Sequence, residues 1–267
     1  LIIRAYDTGD RPILQIGTNA VLLADHPYVT LEDLDCRSTT GDAISVTGTS
    51  DHFIINNCVT DGSTGDGIGV EGTITEGTIQ RCTTTDAVHG IYLSGVSGVT
   101  VEECETYSNG NVSQNAGIIL DGCSTCIVKN NTTHDNIGAG IILFGGSDGN
   151  EVYDNLSYEN TREGLAFGSS GGADTNKVYN NTFHNNGKYG IASYDALNIS
   201  NLIKNNIVSQ DGSLAGSGDY CLYFVSDSNA QDNTFDYNLY YHPIETNIMY
   251  TTTGYTLSTW QTLLTAT

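Results

Sequence analysis

The sequence predicts an all-β solenoid, a parallel β-helix of about nine coils with an asparagine ladder, and three observations support this prediction. The first is a short apolar phrase that recurs along the chain at nearly constant steps, and the second is that asparagines recur at a fixed place after it. The third observation is the composition, because the 267 residues include 31 glycines, only 3 prolines and 15% charged residues. Such a composition favours an ordered chain with many tight turns over a disordered one.

Nine copies of the apolar phrase define the repeat, and the sequence GIIL at residues 140–143 is typical of them. The copies begin at residues 20, 43, 67, 90, 117, 140, 164, 190 and 221, so the steps are 23, 24, 23, 27, 23, 24, 26 and 31 residues. A small-residue turn, a second short strand, a tight turn and a third strand follow each copy. Alternate residues of the phrase are apolar, as in a strand with one buried face. Each copy therefore predicts one solenoid coil.

One inward column after the second strand explains most of the repeated asparagines. It reads Leu34, Cys58, Cys82, Cys104, Asn131, Asn155, Asn181, Asn206 and Asn238. Coils stack at about 4.8 Å, so the amides in this column can bond from one coil to the next. Asparagine also tolerates the left-handed backbone of a sharp bend. Two positions further on, a second inward stack of small residues is expected at Cys36, Thr60, Thr84, Thr106, Thr133 and Ser157.

The cysteines fit the same scheme. Cys58, Cys82 and Cys104 occupy the ladder column, where a buried thiol behaves as a small apolar side chain. Cys123 and Cys126 form a lone CxxC in a turn, and no second pair at zinc-site spacing exists. An ordinary turn is the favoured interpretation, with a local disulfide as the alternative. The whole chain, residues 1–267, is expected to form one domain, with a partial first coil at 1–18 and a C-terminal cap at 239–267.

Charge restricts the classes of partner. Acidic residues outnumber basic ones by 31 − 9 = 22. Such a surface repels phosphate backbones, so nucleic acid is not expected to bind. Two explanations remain, a solvated acidic surface adapted to a salty medium and carboxylates that bind divalent cations. No apolar run is long enough to span a membrane.

The repeated pattern "GI.L....n..I..N......G" over residues 20–240 resembles the right-handed parallel β-helix repeats of the pectin-lyase-like superfamily, in its NosD and carbohydrate-binding-and-sugar-hydrolysis style. The ending from residue 238 resembles the closing segment of surface β-helices such as the methanogen disaggregatases, which break down a uronic-acid polymer. The resemblance implies a polysaccharide partner and an extracellular or cell-surface location. It leaves the activity open, because the superfamily includes lyases, hydrolases, epimerases and adhesive domains. The polygalacturonase signature and the Asp-Pro-His-Glu run of alginate epimerases are absent.

In that superfamily the substrate usually lies along the outer face of the first strands, where polar groups gather between residues 42 and 121. Glu71 and Asp121 fall in one column two coils apart, which is about 9.6 Å at roughly 4.8 Å per coil. Leaning side chains could reach the roughly 6.5–9.5 Å separation of inverting glycosidases. Asp66 and His89 are neighbours that suit an acid–base pair. Tyr92 could donate to a glycosidic oxygen or remove a C5 proton. These five are the candidate catalytic residues, and an ordinary cluster of surface carboxylates is the alternative.

Further residues on this face are candidates for substrate and metal binding. The candidate substrate-binding residues are Asp42, Glu163, Tyr189, Tyr194 and Tyr223. Tyrosines can stack on sugar rings, or they can cover the last coils of the solenoid. The loops 107–115 and 209–219 are expected to wall the groove on one side. Calcium is the candidate cofactor, with Asp42 and Asp66 as its first ligands and Glu71 and Asp121 as further ones.

These observations favour an extracellular glycoside hydrolase that acts on a polymeric glycan, with uronic-acid polymers among the candidates. A calcium-assisted polysaccharide lyase is the second interpretation. The third belongs to another class, a noncatalytic module that binds glycan or packs into a cell envelope.

Overall fold

The computed structural model describes residues 1–4, 11–210, 220–243 and 247–265. Every coil supplies one strand to each of three sheets, and the coils stack in parallel register. The sheets contain 10, 10 and 11 strands, so the solenoid has about ten coils. The predicted all-β parallel β-helix is therefore confirmed.

The strands follow one another in a fixed order along the chain. They are β1 (Ile2–Arg4), β2 (Ile13–Ile16), β3 (Val21–Ala24), β4 (Thr30–Glu32), β5 (Asp35–Ser38), β6 (Ile44–Thr47), β7 (Phe53–Asn56), β8 (Val59–Asp61), β9 (Ile68–Glu71), β10 (Gly77–Gln80), β11 (Thr83–Thr85), β12 (Ile91–Ser94), β13 (Val99–Glu102), β14 (Glu105–Tyr107), β15 (Ala116–Asp121), β16 (Ile127–Lys129), β17 (Thr132–His134), β18 (Ala139–Phe144), β19 (Glu151–Tyr153), β20 (Leu156–Tyr158), β21 (Leu165–Phe167), β22 (Lys177–Tyr179), β23 (Thr182–His184), β24 (Tyr189–Ser193), β25 (Leu202–Lys204), β26 (Ile207–Ser209), β27 (Tyr220–Phe224), β28 (Thr234–Asp236), β29 (Leu239–Tyr241), β30 (Met249–Tyr250) and β31 (Gly254–Tyr255). Two helices are present in the described residues, α1 (Asp227–Gln231) and α2 (Leu257–Thr265).

Every third strand belongs to the same sheet. The first sheet runs from β3 through β6 and β9 to β30 and ends with β31, the second sheet runs from β1 to β28, and the third runs from β2 to β29. Inward residues of successive coils stack on like residues, as Ile91 pairs with both Ile68 and Ile118. All three are fully buried. Burial of each such side chain stabilises the fold by about 1.5–3 kcal/mol.

The predicted asparagine ladder is present. Nδ2 of Asn131 donates to Oδ1 of Asn155 at 3.0 Å. The chain of amide bonds continues through Asn181 and Asn206 to Asn238, at 2.9, 3.0 and 3.0 Å. Each amide thus satisfies a buried neighbour that water cannot reach, and the ladder is part of the scaffold.

Two further ladders, which the sequence reasoning missed, occupy the other two corners of the coil. One runs through Asn109, Asn136, Asn160, Asn186 and Gln210. The other runs through Asn150, Asn176, Asn201 and Asn233. All three corners of the coil are therefore held together by the same kind of side-chain bonding.

The backbone differs from the expectation in one respect. The left-handed residue is the one before each ladder asparagine, as at Asn130 with φ 56°, Asp154 with φ 56° and Asn180 with φ 58°. The left-handed residue makes the bend, and the next residue then points its amide inward. Asparagine in the ladder is therefore selected for its amide, and the bend accepts several residue types, including Arg81 and Glu103.

The inward small residues and thiols lie where the repeat alignment placed them. Cys36, Thr60, Thr84, Thr106, Thr133 and Ser157 are fully buried. All seven cysteines are buried and free, so the CxxC of Cys123 and Cys126 forms no disulfide. The backbone N of Cys82 donates to Sγ of Cys104 at 3.4 Å, and the backbone N of Cys104 donates to Asn131 at 2.9 Å. Burial raises the pKa of the Cys82 thiol well above its ordinary value, so this thiol stays neutral.

The C-terminal segment packs against the last coils. Trp260 of α2 is buried, and its ring meets that of Phe235 edge to face, with centroids 5.0 Å apart. The segment 1–18 predicted as a partial coil includes residues 5–10, which lie outside the described residues. In the described part of the chain, neither helix has the length and apolar character needed to cross a membrane.

Candidate functional site

The first sheet brings the two candidate carboxylates into one outward column, as the repeat alignment predicted. Ser94 of β12 pairs with Glu71 of β9 on one side and with Asp121 of β15 on the other. Glu71 and Asp121 are therefore two coils apart, about 9.6 Å at roughly 4.8 Å per coil. The middle of this gap is occupied by the small Ser94 side chain.

The entrance column supplies a carboxylate–imidazole pair. Nδ1 of His89 lies 2.7 Å from Oδ1 of Asp66, and Nδ2 of Asn115 donates to Nε2 of His89 at 2.9 Å. Because an amide nitrogen only donates, Nε2 is the acceptor and the ring proton lies on Nδ1. The side chains of His89 and Asp66 are 19% and 13% exposed, so the pair is held on a largely covered surface.

Asn115 was missed by the sequence reasoning. It ends the loop 107–115 directly before β15, and because β15 pairs with β12, Asn115 lies beside His89 on the adjacent coil. A polar residue directly before the small-residue start of β15 was the available signal, but no repeat pattern distinguishes it from other loop residues.

Tyr92 connects the two parts of the acidic coils. Its hydroxyl donates to Oδ2 of Asp121 at 2.8 Å. Its ring stacks on that of His89 with centroids 5.2 Å apart and planes 21° apart. Burial, together with the hydrogen bond to Asp121, raises the pKa of Tyr92 to about 12, so the phenol keeps its proton. Tyr92 is therefore a hydrogen-bond donor in this site.

The pKa values of Asp42 and Glu71 are both raised, first by burial and then by neighbouring negative charge. Burial is the main cause of the raised pKa of Asp42, and the nearby negative charge of Asp66 adds to it. Partial burial also raises the pKa of Glu71, followed by the charges of Asp42 and Asp66. In both cases the neighbouring negative charges disfavour the ionised carboxylate, so the proton is held more tightly. Glu71 is thus the carboxyl in its column that holds a proton at higher pH than usual.

Gly69 leaves room where two carboxylates converge. A Cβ at this position would lie 2.7 Å from Oδ2 of Asp42 and 3.6 Å from Oδ2 of Asp66. Within the described residues, no group of three or more His, Cys, Asp or Glu side chains has the arrangement of a metal site. Calcium takes six to eight oxygens, so Asp42 and Asp66 would supply only part of its shell. Calcium binding stays a proposal.

A second polar cluster lies further along the same sheet and is built around a buried carboxylate. The carboxylate of Glu163, 2% exposed, faces the guanidinium of Arg162, with Nε and Nη2 at 3.1–3.2 Å. Nη2 of Arg162 also donates to the hydroxyl of Tyr194 at 3.2 Å, and that hydroxyl donates to Glu163. Burial is the main cause of the strongly raised pKa of Tyr194. Arg162 was missed because, in sequence, one charged residue beside a strand looks like solvated surface.

This cluster faces a cavity of about 410 Å³ that opens onto the first sheet. Ile142, Phe144 and Ala166 give it an apolar surface, while Arg162, Glu163 and Tyr194 line it with polar groups. Ser113 and Gln114 of the loop 107–115 also line it, so this loop walls the groove as predicted. Of the second predicted wall, 209–219, residues 211–219 lie outside the described residues.

The tyrosines of the last coils come together as the columns predicted. Tyr189 and Tyr223 stack with centroids 4.8 Å apart, and Tyr194 meets Tyr223 at 5.3 Å with a 40° tilt. Nζ of Lys188 lies over both Tyr189 and Tyr194, at 5.4 and 5.6 Å from the ring centroids. Ring faces are thus largely used in packing between side chains, and hydroxyls and ring edges are the groups that a sugar would meet.

Comparison with known proteins agrees with this architecture. Residues 19–172 and 66–240 match the family model described as right handed beta helix region. The chain therefore belongs to this family, and the predicted right-handed parallel β-helix is confirmed. No curated protein sequence matches the chain.

Several solved structures share the fold at low sequence identity. The A-module of the Azotobacter vinelandii mannuronan C-5 epimerase AlgE4 is 13% identical with a TM-score of 0.60, over 92% of this chain and 89% of that one. The periplasmic alginate epimerase AlgG is 14% identical with a TM-score of 0.57, over 85% and 72%. The GH87 alpha-1,3-glucanase of Streptomyces thermodiastaticus is 14% identical with a TM-score of 0.59, over 84% and 50%. At such low sequence identity, the similarity to these structures shows a shared fold only.

Proposed function

We propose that this chain is an extracellular or cell-surface glycoside hydrolase that cleaves a polymeric glycan lying along the outer face of the first sheet. The observation that carries this proposal is the pair Glu71 and Asp121. The two carboxyl groups share a column, lie two coils apart and differ in environment, because Glu71 has a raised pKa and Asp121 accepts a hydrogen bond from Tyr92. Paired carboxyl groups in different environments are what glycoside hydrolysis requires.

In this proposal each carboxyl group has a separate task. Protonated Glu71 gives its proton to the glycosidic oxygen as the bond from that oxygen to the anomeric carbon breaks. The Asp121 carboxylate takes a proton from a water molecule whose oxygen bonds to the anomeric carbon from the opposite side. Tyr92 holds Oδ2 of Asp121, and Oδ1 is proposed as the oxygen that takes the proton. The separation of two coils leaves room for that water, so inversion at the anomeric carbon is expected.

The solved structures support a polysaccharide substrate without identifying it. Two of them are epimerases of mannuronan or alginate, and one is an alpha-1,3-glucanase. AlgG is a periplasmic enzyme, which is compatible with action of this chain outside the cytoplasm. A long outward face on one sheet suits a polymer, because substrate units can lie across successive coils.

A second candidate function, a lyase acting on a uronic-acid polymer, is favoured by a different observation. Arg162 lies in the wall of the 410 Å³ cavity, and a guanidinium is well matched to the carboxylate of a uronate. In this alternative, the substrate would displace Asn115 from Nε2 of His89, and this nitrogen would remove the C5 proton as the C4–O glycosidic bond breaks and a C4–C5 double bond forms, with the leaving oxygen protonated by water. Calcium held by Asp42 and Asp66 would neutralise the substrate's carboxylate and complete its coordination with substrate oxygens and water.

A polysaccharide panel assayed with calcium and with a chelator tests the proposal. New reducing ends without ultraviolet absorbance from unsaturated products are expected under both conditions. Glu71→Gln and Asp121→Asn should each lower turnover by about a hundredfold or more. The matched control is Glu76→Gln, which changes an exposed carboxylate on another part of the coil.

Three results would contradict hydrolysis at this site. Calcium-dependent ultraviolet absorbance would establish the lyase. Full activity of both Glu71→Gln and Asp121→Asn would show that these carboxyl groups are not catalytic. If no polysaccharide is cleaved and one of them slows the migration of the protein in gel electrophoresis, the chain is a noncatalytic binding module.

A further inference from the structure

The outer face of the second sheet concentrates basic residues in a chain that has very few. The sequence contains four lysines, and three of them, Lys129, Lys177 and Lys204, point outward from this sheet. On the outward face of the four consecutive strands β16, β19, β22 and β25 and their two neighbours, β13 and β28, the three lysines are matched by Glu151, by Glu102 beside Lys129 and by Asp236 beside Lys204, so the balance is 3 − 3 = 0. The chain as a whole has a net charge of −22. This face is therefore a local exception to the acidic surface.

The basic residues surround a cavity of about 480 Å³ that is separate from the first sheet. Lys177, Tyr179, Lys204 and Leu202 line it, together with the corner amides Asn180 and Asn205 and the carboxylate of Glu151. It therefore offers two ammonium groups, two amides and an apolar contact over three adjacent coils. A ligand that matches it carries negative charge, hydroxyl groups and C–H surface.

Glu151 preorganises this cavity. Its Oε1 accepts from Nζ of Lys177 at 2.8 Å, and its Oε2 accepts from the hydroxyl of Tyr179 at 3.0 Å. The ring of Tyr179 is also held against that of Tyr153, with centroids 4.8 Å apart and planes 7° apart. Two of the lining side chains are thus fixed before any ligand arrives, which reduces the entropy lost on binding.

Lys204 is the lysine of this cavity whose ammonium group forms no ion pair within the described residues. Its Nζ lies 5.9 Å from the centroid of the Tyr179 ring. In the part of the chain that the structure describes, no carboxylate lies within ion-pair distance of it, whereas Lys129 and Lys177 are both paired. An ammonium group placed at a preorganised cavity without a counter-ion is suited to an anionic ligand.

We propose that the outer face of β19, β22 and β25 is an accessory binding surface for a carboxylate-bearing glycan, that is, a segment of a polyuronate chain. Lys204 and Lys177 contact the uronate carboxylates, Asn180 and Asn205 contact the hydroxyls, and Leu202 contacts the C–H surface of a sugar ring. The surface extends across successive coils, as a polymer does. By holding the polymer on a second face, it raises the effective concentration of glycan at the first sheet.

Lysine acetylation in the presence and absence of polygalacturonate tests the proposal directly. With only four lysines in the chain, each site can be followed by mass spectrometry, and Lys188 beside the first sheet serves as the internal control. Protection of Lys204 and Lys177 is expected with polygalacturonate and not with neutral dextran. Protection of Lys188 alone would overturn the proposal, because the polymer would then bind only at the first sheet.

Affinity electrophoresis of variants gives the second measurement. The variant with both Lys177→Gln and Lys204→Gln should bind polygalacturonate about tenfold more weakly than the parent protein. The control with Arg37→Gln and Arg81→Gln has the same change of charge and should bind as the parent does. Retardation by polygalacturonate should also fall as salt rises, because exposed charges are screened.

The binding result is independent of whether the first sheet catalyses hydrolysis. The variants are compared in a Glu71→Gln background, so that the polymer is not consumed. Equal binding by parent and lysine variant would overturn the accessory surface, as would equal binding of dextran or binding of polyphosphate alone. The proposed hydrolase fails on different observations, the reducing-end and ultraviolet assays.

Discussion

The hydroxyl of Tyr92 donates a 2.8 Å hydrogen bond to Oδ2 of Asp121, which lies one coil further along the solenoid. This bond ties the imidazole part of the site to the carboxylate column, since the Tyr92 ring also stacks on His89. Only the stacking of coils brings these residues together, because 29 positions separate Tyr92 from Asp121 in the sequence. The bond fixes Oδ2 of Asp121, while Oδ1 lies next to Gly145 of the following coil.

Tyr92→Phe should therefore lower turnover without unfolding the protein. The ring and its stacking are kept, while the hydrogen bond to a charged group, worth about 1.5–3 kcal/mol, is lost. The expected result is a fall in turnover of about tenfold to a hundredfold, with a melting temperature lowered by a few degrees and the protein still folded under assay conditions. The comparison is Tyr153→Phe, which removes a hydroxyl from the second sheet. Equal effects of the two variants would show that the bond to Asp121 has no role in turnover.

The pH dependence of hydrolysis should follow the protonation of Glu71. As the proton donor, Glu71 acts only while protonated, so activity should be lost as pH rises through its raised pKa. Asp42→Asn removes a negative charge that helps to raise this pKa. The ionised form of Glu71 then costs less, its pKa falls, and the basic limb of the pH–rate profile should move to lower pH.

The fold should tolerate Asp42→Asn, because an asparagine, Asn19, accepts the equivalent hydrogen bond one coil earlier. Oδ1 of Asn19 accepts from the backbone N of Asp42 at 3.0 Å, as Oδ1 of Asp42 accepts from the backbone N of Asp66 at 2.9 Å. To test whether Glu71 is the titrating donor, kcat/KM is measured against pH for the parent, Asp42→Asn and Glu76→Gln. A basic limb that stays in place in Asp42→Asn would exclude Glu71 as the titrating donor.

The parts of the structure that repeat every coil were predictable from sequence, and those that depend on one loop or one ion pair were not. The column from Asn131 to Asn238 is visible because the spacing from the apolar phrase to the asparagine is constant. The pairing of Glu71 and Asp121 with Ser94 follows from the same alignment. The ladder that begins at Asn150 was missed because it lies in a turn where glycines and insertions obscure the period.

Site contacts made by single residues carry no periodic signal. Asn115 is placed next to His89 by the pairing of β15 with β12, but the direction in which its side chain points is not encoded in repeat spacing. Arg162 is recognisable as a site residue only once Glu163 is seen to be buried. The position of the tyrosine cluster followed from the repeat alignment, whereas the stacking of Tyr189 on Tyr223 depends on side-chain orientation.

Glu163→Gln should destabilise the protein strongly. Its carboxylate is 2% exposed, and the change leaves the partly covered Arg162 without its counter-charge. Breaking a buried pair on one side costs about 3–5 kcal/mol. Glu151→Gln breaks the pair with Lys177, where the glutamate is 34% exposed, and should cost about 0–1 kcal/mol. Thermal and urea unfolding of both variants measure the difference, and equal midpoints would show that Glu163 is effectively solvated.

Asn155→Ala should break the ladder at its centre. Oδ1 of Asn155 accepts from the backbone N and Nδ2 of Asn131, at 2.9 and 3.0 Å, and its own Nδ2 donates to the carbonyl of Val128 at 2.9 Å. The substitution leaves these buried groups without partners, at about 1–3 kcal/mol each. A clear fall in melting temperature is expected, whereas Asn111→Ala in the exposed part of the loop 107–115 should have little effect. A normal melting temperature for Asn155→Ala would mean that the ladder adds no stability.

Cys104→Asn should extend the same ladder by one step and keep or raise the stability. Sγ of Cys104 already lies 3.4 Å from the backbone N of Cys82 and 3.7 Å from the carbonyl of Ile79. These are the two kinds of partner that the amide of Asn131 has one coil later, with the backbone N of Cys104 and the carbonyl of Val101. The amide introduced by Cys104→Asn would thus find an acceptor and a donor in place, and each added bond contributes about 0.5–1.5 kcal/mol.

Cys104→Ala separates this effect from simple loss of the thiol. It removes the weak acceptor of the Cys82 N–H and leaves a small gap, so its melting temperature should fall below that of the parent. Calorimetry should therefore find that Cys104→Asn melts at or above the temperature of the parent and that Cys104→Ala melts below it. If the asparagine variant melts as low as the alanine variant, the corner is too tightly packed against Cys82 for an amide. The thiols would then be required there for their size.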